Sequence, residues 1–127
     1  MKHINPHSWP RPSGYSNGVV AEGKMIFLAG MVGWNTEGVF APGFLPQLEQ
    51  TLENIVAVLK AGDAGPENIV RMTWFVKDLD AYRKNLSEVG PIYRRIIGKN
   101  FPVMAVIGIN DLVEPDALLE IEVTAML

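Results

Sequence analysis

The stretch Asn100–Ile109, NFPVMAVIGI, decides the fold of this chain. After its proline it carries no charge and is rich in β-forming side chains, which is typical of a strand. Apolar and polar residues do not alternate in it, so such a strand has no face suited to water. One face belongs to the core of the domain, and the second face needs a cover of its own.

Two neighbouring segments predict strands with one clearly apolar face. In ALLEIEVTAM, residues 117–126, apolar side chains occupy every second position from Leu119 onward. In NIVRMTWFVKD, residues 68–78, one side carries only apolar residues and the other side is half polar. Each segment therefore has one side that faces the core and a second side that the core does not cover.

Two helices are predicted between and before these strands. Leu45–Ala61 places apolar residues at helical spacing, and Gly62 follows as a stop signal. The second helix runs from about Asp80 to Ile97, and we expect the pair Gly90-Pro91 to bend or interrupt it.

The N-terminal part predicts an arm followed by two short strands. Prolines at positions 6, 10 and 12 favour an extended arm over residues 1–13. The strands are expected around Gly18–Ala21 and Lys24–Ala29, joined by a tight turn at Glu22-Gly23.

The resulting order is β-β-α-β-α-β-β in one domain over residues 1–127, which predicts an α+β fold. Two helices would cover one face of a mainly antiparallel sheet and leave the other face open. A chain of this length cannot cover that face itself, so we expect subunits to associate through it. Closed cyclic symmetry would then place grooves between subunits.

Composition excludes several classes of function. Eleven Lys and Arg against 14 Asp and Glu, without a basic run, argue against a nucleic-acid partner. The absence of cysteine excludes disulfides, thiolate metal sites and thiol nucleophiles. The first residues lack the apolar core of a signal peptide, and no apolar run approaches the roughly 18 residues of a membrane span. We therefore expect a cytoplasmic protein without a membrane partner.

Few residues are candidates for chemistry. His3 and His7 lie four apart, but a proline separates them in the predicted arm, so no metal site is expected. Glu120 stands between two core-facing residues; it is either a solvated strand position or a carboxylate that orients water at a subunit groove. Glu122 faces the same way and competes for either role.

Three aromatic residues are further candidates. Trp34, Trp74 and Tyr15 could serve as packing residues or as walls of a ligand groove, and the pattern leaves both readings open. Trp34 follows a turn glycine, a position that often lines a rim or an interface.

Five ordered blocks give the chain a resemblance to the Rid family of reactive-intermediate deaminases, also called the YjgF family. The resemblance extends from Gly14 to Thr124. The blocks are GYSNGV, MIFLAGMVG, QTLENIVAVLKAGDAGPENIVRMTWFVKDL, FPVMAVIGI and ALLEIEV.

This resemblance implies a chorismate-mutase-like fold and a homotrimer with small-molecule grooves between subunits. It also implies hydrolysis of imines and enamines to 2-keto acids and ammonia, without a metal or cofactor. In the family an arginine two residues after FP grips the substrate carboxylate, and a glutamate helps to hold the attacking water. Tyr15, the Gly30 backbone and Glu120 match the family pattern.

The sequence departs from the family at Met104, which stands where the arginine is expected. Ala29 and Gly90 likewise replace a small hydroxyl residue and an asparagine. Losing the arginine removes hydrogen bonds worth roughly 1.5–3 kcal/mol each to an ionised partner. We expect a more apolar groove that suits a larger, less charged ligand, walled by Met104, Val106, Met31 and one of Trp34 and Trp74.

Three functions remain open from the sequence. The first is a hydrolase of altered specificity, with Glu120 orienting water and Tyr15 closing the groove. The second is a binding protein that has lost turnover together with the arginine. The third, an endoribonuclease or translation inhibitor, conflicts with the acidic charge balance. Arg71 and Arg94 are candidates for a displaced cation, but the sequence does not place either of them.

Overall fold

Six strands and three α-helices make up the fold in a computed structural model, which describes residues 1–127. The strands are β1 (Lys2–Ile4), β2 (Gly18–Val20), β3 (Met25–Met31), β4 (Ile69–Val76), β5 (Val103–Gly108) and β6 (Leu119–Met126). The helices are α1 (Phe44–Ala61), α2 (Leu79–Lys84) and α3 (Leu86–Ile96), with a 3₁₀ turn at Pro66–Asn68. The predicted α+β class is confirmed.

The main sheet has four strands in the order β3-β6-β4-β5. Strand β6 runs antiparallel to both of its neighbours, and β4 runs parallel to β5. The parallel pair needs a crossover connection, which α2 and α3 supply. The crossover returns the chain to the edge of the sheet. The stretch Asn100–Ile109 therefore contains the edge strand β5.

The core lies between this sheet and the helices α1 and α3. In β6 the predicted alternation is confirmed, because Leu119, Ile121, Val123 and Ala125 are all buried. They pack with buried residues of α1, among which Leu52 is fully buried. None of the helices has the length and apolar character that crossing a membrane requires.

The first predicted helix is confirmed, and the second differs in where it breaks. Helix α1 ends at Ala61, and the Gly62 N–H donates to the Leu59 carbonyl at 2.9 Å. The second helix is broken at Asn85 rather than at Gly90-Pro91. The Asn85 amide donates to the Ala81 carbonyl at 2.7 Å and so satisfies the end of α2.

Pro91 lies inside α3 without ending it. A proline removes one backbone donor, which leaves the carbonyl four residues earlier without its helical partner. Pro91 and Ser87 are both exposed, so water can satisfy that carbonyl. Solvent exposure is the physical reason that the predicted interruption is absent.

The N-terminal strands form, but they pair differently from the prediction. Strand β2 pairs with β1, so part of the predicted extended arm folds back on its own chain. Strand β3 pairs instead with β6, which offers a longer partner. Gly23 therefore joins two different sheets; its φ of +130° and its close approach to the Leu127 carbonyl both require glycine.

The second face of the main sheet is open within the chain. Phe27 of β3 is 70% exposed and Ile107 of β5 is 43% exposed, although both are large and apolar. Between them the same face carries polar side chains from β6 and β4, including Glu122 and Thr73, which are cross-strand partners. Strand β5 thus packs one side on the core and leaves its other side uncovered, as NFPVMAVIGI predicts.

Candidate functional site

A largely apolar cleft of about 550 Å³ lies between the edge strand β5 and the helices α2 and α3. Most of its lining side chains are hydrophobic. Its lining residues are Ser13, Gly14, Tyr15, Trp74, Tyr82, Leu86, Val89, Gly90, Tyr93, Arg94, Phe101, Met104 and Val106. The structure therefore brings together four of the predicted site residues, namely Tyr15, Trp74, Met104 and Val106.

Strand pairing accounts for three of these four positions. Met104 lies beside Met72, and Val106 lies beside Trp74, in the parallel register of β4 and β5. These side chains point to the helix face of the sheet. Since β5 is an edge strand, nothing beyond it closes this side of the core, and a cleft remains.

Tyr15 reaches the cleft because the loop that carries it is tied to the start of β5. The Ser16 hydroxyl donates to the Phe101 carbonyl at 2.5 Å, and the Ser16 N–H donates to the Pro102 carbonyl at 3.1 Å. His3 approaches the same hydroxyl, with Nδ1 at 2.7 Å from Oγ. His3 is thus engaged in a hydrogen bond that holds the loop.

An aromatic cluster forms the back of the cleft. The Trp74 ring lies 6.3 Å from the rings of both Tyr82 and Tyr93. Burial raises the pKa of both tyrosines above the usual value, so both remain neutral phenols at physiological pH. The Tyr93 hydroxyl donates to the Asn100 carbonyl at 2.7 Å. The indole N–H of Trp74 is buried without a hydrogen-bond partner, which is uncommon for such a group.

Glu120 and Gly30 lie together on the opposite, open face of the sheet. Glu120 is the cross-strand partner of Phe75, and its side chain folds over Gly30. Strand β3 bulges between Leu28 and Met31, which turns the glycine toward the carboxylate. A Cβ atom at position 30 would overlap that carboxylate, so the glycine allows the Glu120 side chain to lie over the strand.

The entry to β6 is anchored by the buried side chain of Gln47 in α1. Its amide donates to the Asp116 carbonyl at 2.9 Å, and its oxygen accepts from the Leu118 N–H at 2.9 Å. This pair of bonds fixes the strand just before Glu120. The sequence pattern alone contains no signal for this role of a helix glutamine.

Met31 and Trp34 do not line the cleft of their own chain. Met31 lies beside Ile121 on the helix face and packs against the core. Trp34 packs on Phe40, with ring centroids 5.5 Å apart. Their predicted place in a groove wall stays a prediction that requires a second copy of the chain.

The two arginines left open by the sequence lie on different faces. Arg94 of α3 lines the cleft. Arg71 lies on the open face of the sheet, as the cross-strand partner of Thr124 and Val103. Of the two arginines, Arg94 alone lines the cleft of its own chain.

Known proteins with this fold identify the family. Residues 8–127 match the family model described as Endoribonuclease L-PSP. The chain belongs to this family, which is also called Rid or YjgF. The predicted resemblance and the chorismate-mutase-like fold are thereby confirmed.

Relatives of this Rid-family chain span nearly its whole length. The RutC family protein UK114 of Drosophila melanogaster is 33% identical over 114 residues, which cover 88% of this chain and 78% of the relative. The crystal structure of the Rid-family protein YyfB from Yersinia pestis superposes with a TM-score of 0.87 at 32% identity, covering 99% and 98% of the two chains. A more distant relative from Dermatophagoides farinae, 23% identical over 115 residues that cover 89% of this chain and 86% of the relative, is named 2-iminobutanoate/2-iminopropanoate deaminase.

Replacing Gly30 by Ala should displace the Glu120 carboxylate without unfolding the protein. The new methyl group would displace the flexible Glu120 side chain rather than backbone, so the fold can adjust. If Glu120 orients water, as the sequence predicts, hydrolytic turnover should fall toward that of Glu120→Gln, with a change in Tm of only a few degrees. The two effects should not add in the double variant, because both act on one carboxylate. Full additivity of the two losses in kcat would contradict this geometry.

Proposed function

We propose that this Rid-family protein is a hydrolase of imines or enamines, and that its active site forms between copies of the chain in a homotrimer. One observation carries the proposal: the cleft and Glu120 lie on opposite faces of the same sheet. A single chain therefore cannot present both to one small molecule. A neighbouring copy that covers the open face can bring its Glu120 to the mouth of the cleft.

The open face supports association of this kind. Met25 and Phe27 of β3 are both more than half exposed, and Ile107 lies at the opposite edge of the same face. An exposed apolar surface of this kind is typical of a subunit interface. Cyclic symmetry would repeat the contact and leave no copy uncovered.

The proposed reaction uses water and no other reactant. Glu120 accepts a proton from water as the water oxygen bonds to the imine carbon, and a carbinolamine forms. Glu120 returns that proton to the imine nitrogen, which completes the carbinolamine; the hydroxyl proton then passes through Glu120 to the same nitrogen, the carbon–nitrogen bond breaks, and ammonia leaves as the carbonyl forms. Imine and water are thus converted to a carbonyl compound and ammonia. The deaminase name of the D. farinae relative agrees with this chemistry.

The cleft favours substrates with a bulky apolar group. Met104 and Val106 offer no hydrogen bond, and Trp74 closes the back of the cleft. Burying an apolar side chain there would contribute about 25 cal/mol per Å² of surface removed from water. A small substrate gains little of this energy, so specificity should rise with the size of its side chain.

Imine loss in the presence of the protein tests this function. An amino-acid oxidase generates 2-imino acids in place, and semicarbazide traps what remains. We expect the wild-type protein to lower the trapped fraction, and to do so more for the imine of phenylalanine than for that of alanine. Equal trapping with and without protein, for both imines, would overturn the hydrolase proposal.

A binding protein without turnover is the second candidate. The observation that favours it is Met104, because its thioether places no charge opposite a substrate carboxylate. Ligand binding that survives Glu120→Gln, together with no loss of imine, would support this candidate. We do not propose RNA cleavage, since the chain has a net charge of −3 and lacks a basic run.

A further inference from the structure

The guanidinium of Arg94 is free, in contrast to that of its neighbour in sequence. Arg95 forms an ion pair with Glu49 of α1, at 3.0 Å. Arg94 lines the cleft and takes part in none of the three ion pairs of the chain. Two adjacent arginines on α3 thus have different roles: one ties two helices together, and the other is available to a ligand.

The absence of a side chain at Gly90 leaves open the space beside this guanidinium. It lies one helical turn before Arg94, where residues four apart face the same side. A Cβ atom at position 90 would lie 3.8 Å from Nη1 of Arg94, and no other atom outside the local helix backbone lies within 4 Å. Any longer side chain at position 90 would extend into the space beside the guanidinium.

The rest of the cleft contains no other charged side chain. A free cation at the mouth of an apolar cleft favours a ligand with one anionic group and one apolar group. Guanidinium matches a carboxylate through two parallel hydrogen bonds, so the anionic group of best fit is a carboxylate.

We propose that Arg94 binds the carboxylate of the substrate, while the cleft behind it, with Trp74 and Met104, takes the apolar side chain. This inference rests on the proposed function and specifies its substrate class as 2-imino acids with a large apolar or aromatic side chain. Arg94 is then the residue that selects acids over neutral imines of the same size.

Binding of a stable acid and its neutral amide tests this role without turnover. Isothermal titration calorimetry compares 3-phenylpropanoate with 3-phenylpropanamide on the wild-type protein, Arg94→Gln, Arg94→Lys and the matched control Arg95→Gln. We expect the wild type and Arg95→Gln to prefer the acid by roughly tenfold or more, as a charge-assisted pair implies. Arg94→Gln should lose this preference, and Arg94→Lys should retain part of it.

The same protein samples are also measured for imine loss, which separates the two proposals. If Arg94→Gln and Arg95→Gln prefer the acid equally, Arg94 does not bind the carboxylate and the proposal is overturned. A wild-type protein that shows no preference for the acid, or binds neither compound, would overturn it as well. Imine hydrolysis that persists in that case would leave the proposed function standing. Acid preference through Arg94 without any imine loss would retain the binding role and overturn the hydrolase.

Discussion

Glu120→Gln should lower kcat for imine loss by roughly 10²–10⁴-fold, the range that positioned general bases contribute. Gln keeps the size of the side chain and its place over Gly30, but it cannot accept a proton from water. The side chain is half-buried and takes part in none of the three ion pairs of the chain, so the fold should be unaffected. The measurement is steady-state kinetics with a 2-imino acid generated in place.

Glu122→Gln is the matched control for this prediction. Glu122 lies on the same strand and the same face, two residues further along, and it is exposed. The same charge is removed, yet kcat should stay within about twofold of wild type, since surface substitutions of this kind have small effects. Equal losses in the two variants would indicate a general effect of charge on the open face and would contradict a specific role for Glu120.

Phe27→Glu should dissociate the assembly. Phe27 is 70% exposed in the single chain and lies on the edge strand β3 of the face that the proposed interface covers. A carboxylate there would have to lose its water in every subunit contact, at a cost of several kcal/mol per ion. Size-exclusion chromatography with light scattering should give three times the chain mass of 14.0 kDa for the wild type and the chain mass for the variant.

Val113→Glu is the control for surface charge. Val113 is 96% exposed but lies in the loop between β5 and β6, outside the strands of the open face. The variant should keep the mass and the activity of the wild type, whereas Phe27→Glu should lose both. An active monomer of Phe27→Glu would contradict the proposal that the site needs two copies.

The spacing of apolar residues predicted the helices and strands that bury only one of their sides. Helix α1 and the alternation of β6 were predictable because their apolar residues all point to the one core. The pairing of β2 was not, because its three residues give no signal of which partner is available. The break at Asn85 depends on a side-chain hydrogen bond to a carbonyl, which hydrophobic spacing does not report.

The candidate site was predictable in its members but not in their arrangement. Tyr15, Met104 and Glu120 were all named from the sequence, yet their placement on two faces follows from strand register and from the bulge at Gly30. Arg94 could not be chosen over Arg71 from the sequence, because the choice depends on how α3 docks beside β5. The one local feature of the sequence that points to Arg94 is the glycine four residues before it, at position 90.

Mixed trimers test the central claim, a site built from two copies, most directly. Gly90→Phe should fill the cleft, since Gly90 lines it and only Nη1 of Arg94 lies within 4 Å of a Cβ atom at position 90 outside the local helix backbone, and Glu120→Gln removes the proposed base. Each variant alone should be inactive. If the two are unfolded together and refolded as an equal mixture, random assembly should restore about a quarter of the wild-type sites, because an intact cleft then meets an intact glutamate from its neighbour. A mixture no more active than either parent would contradict the account and place the whole site within one chain.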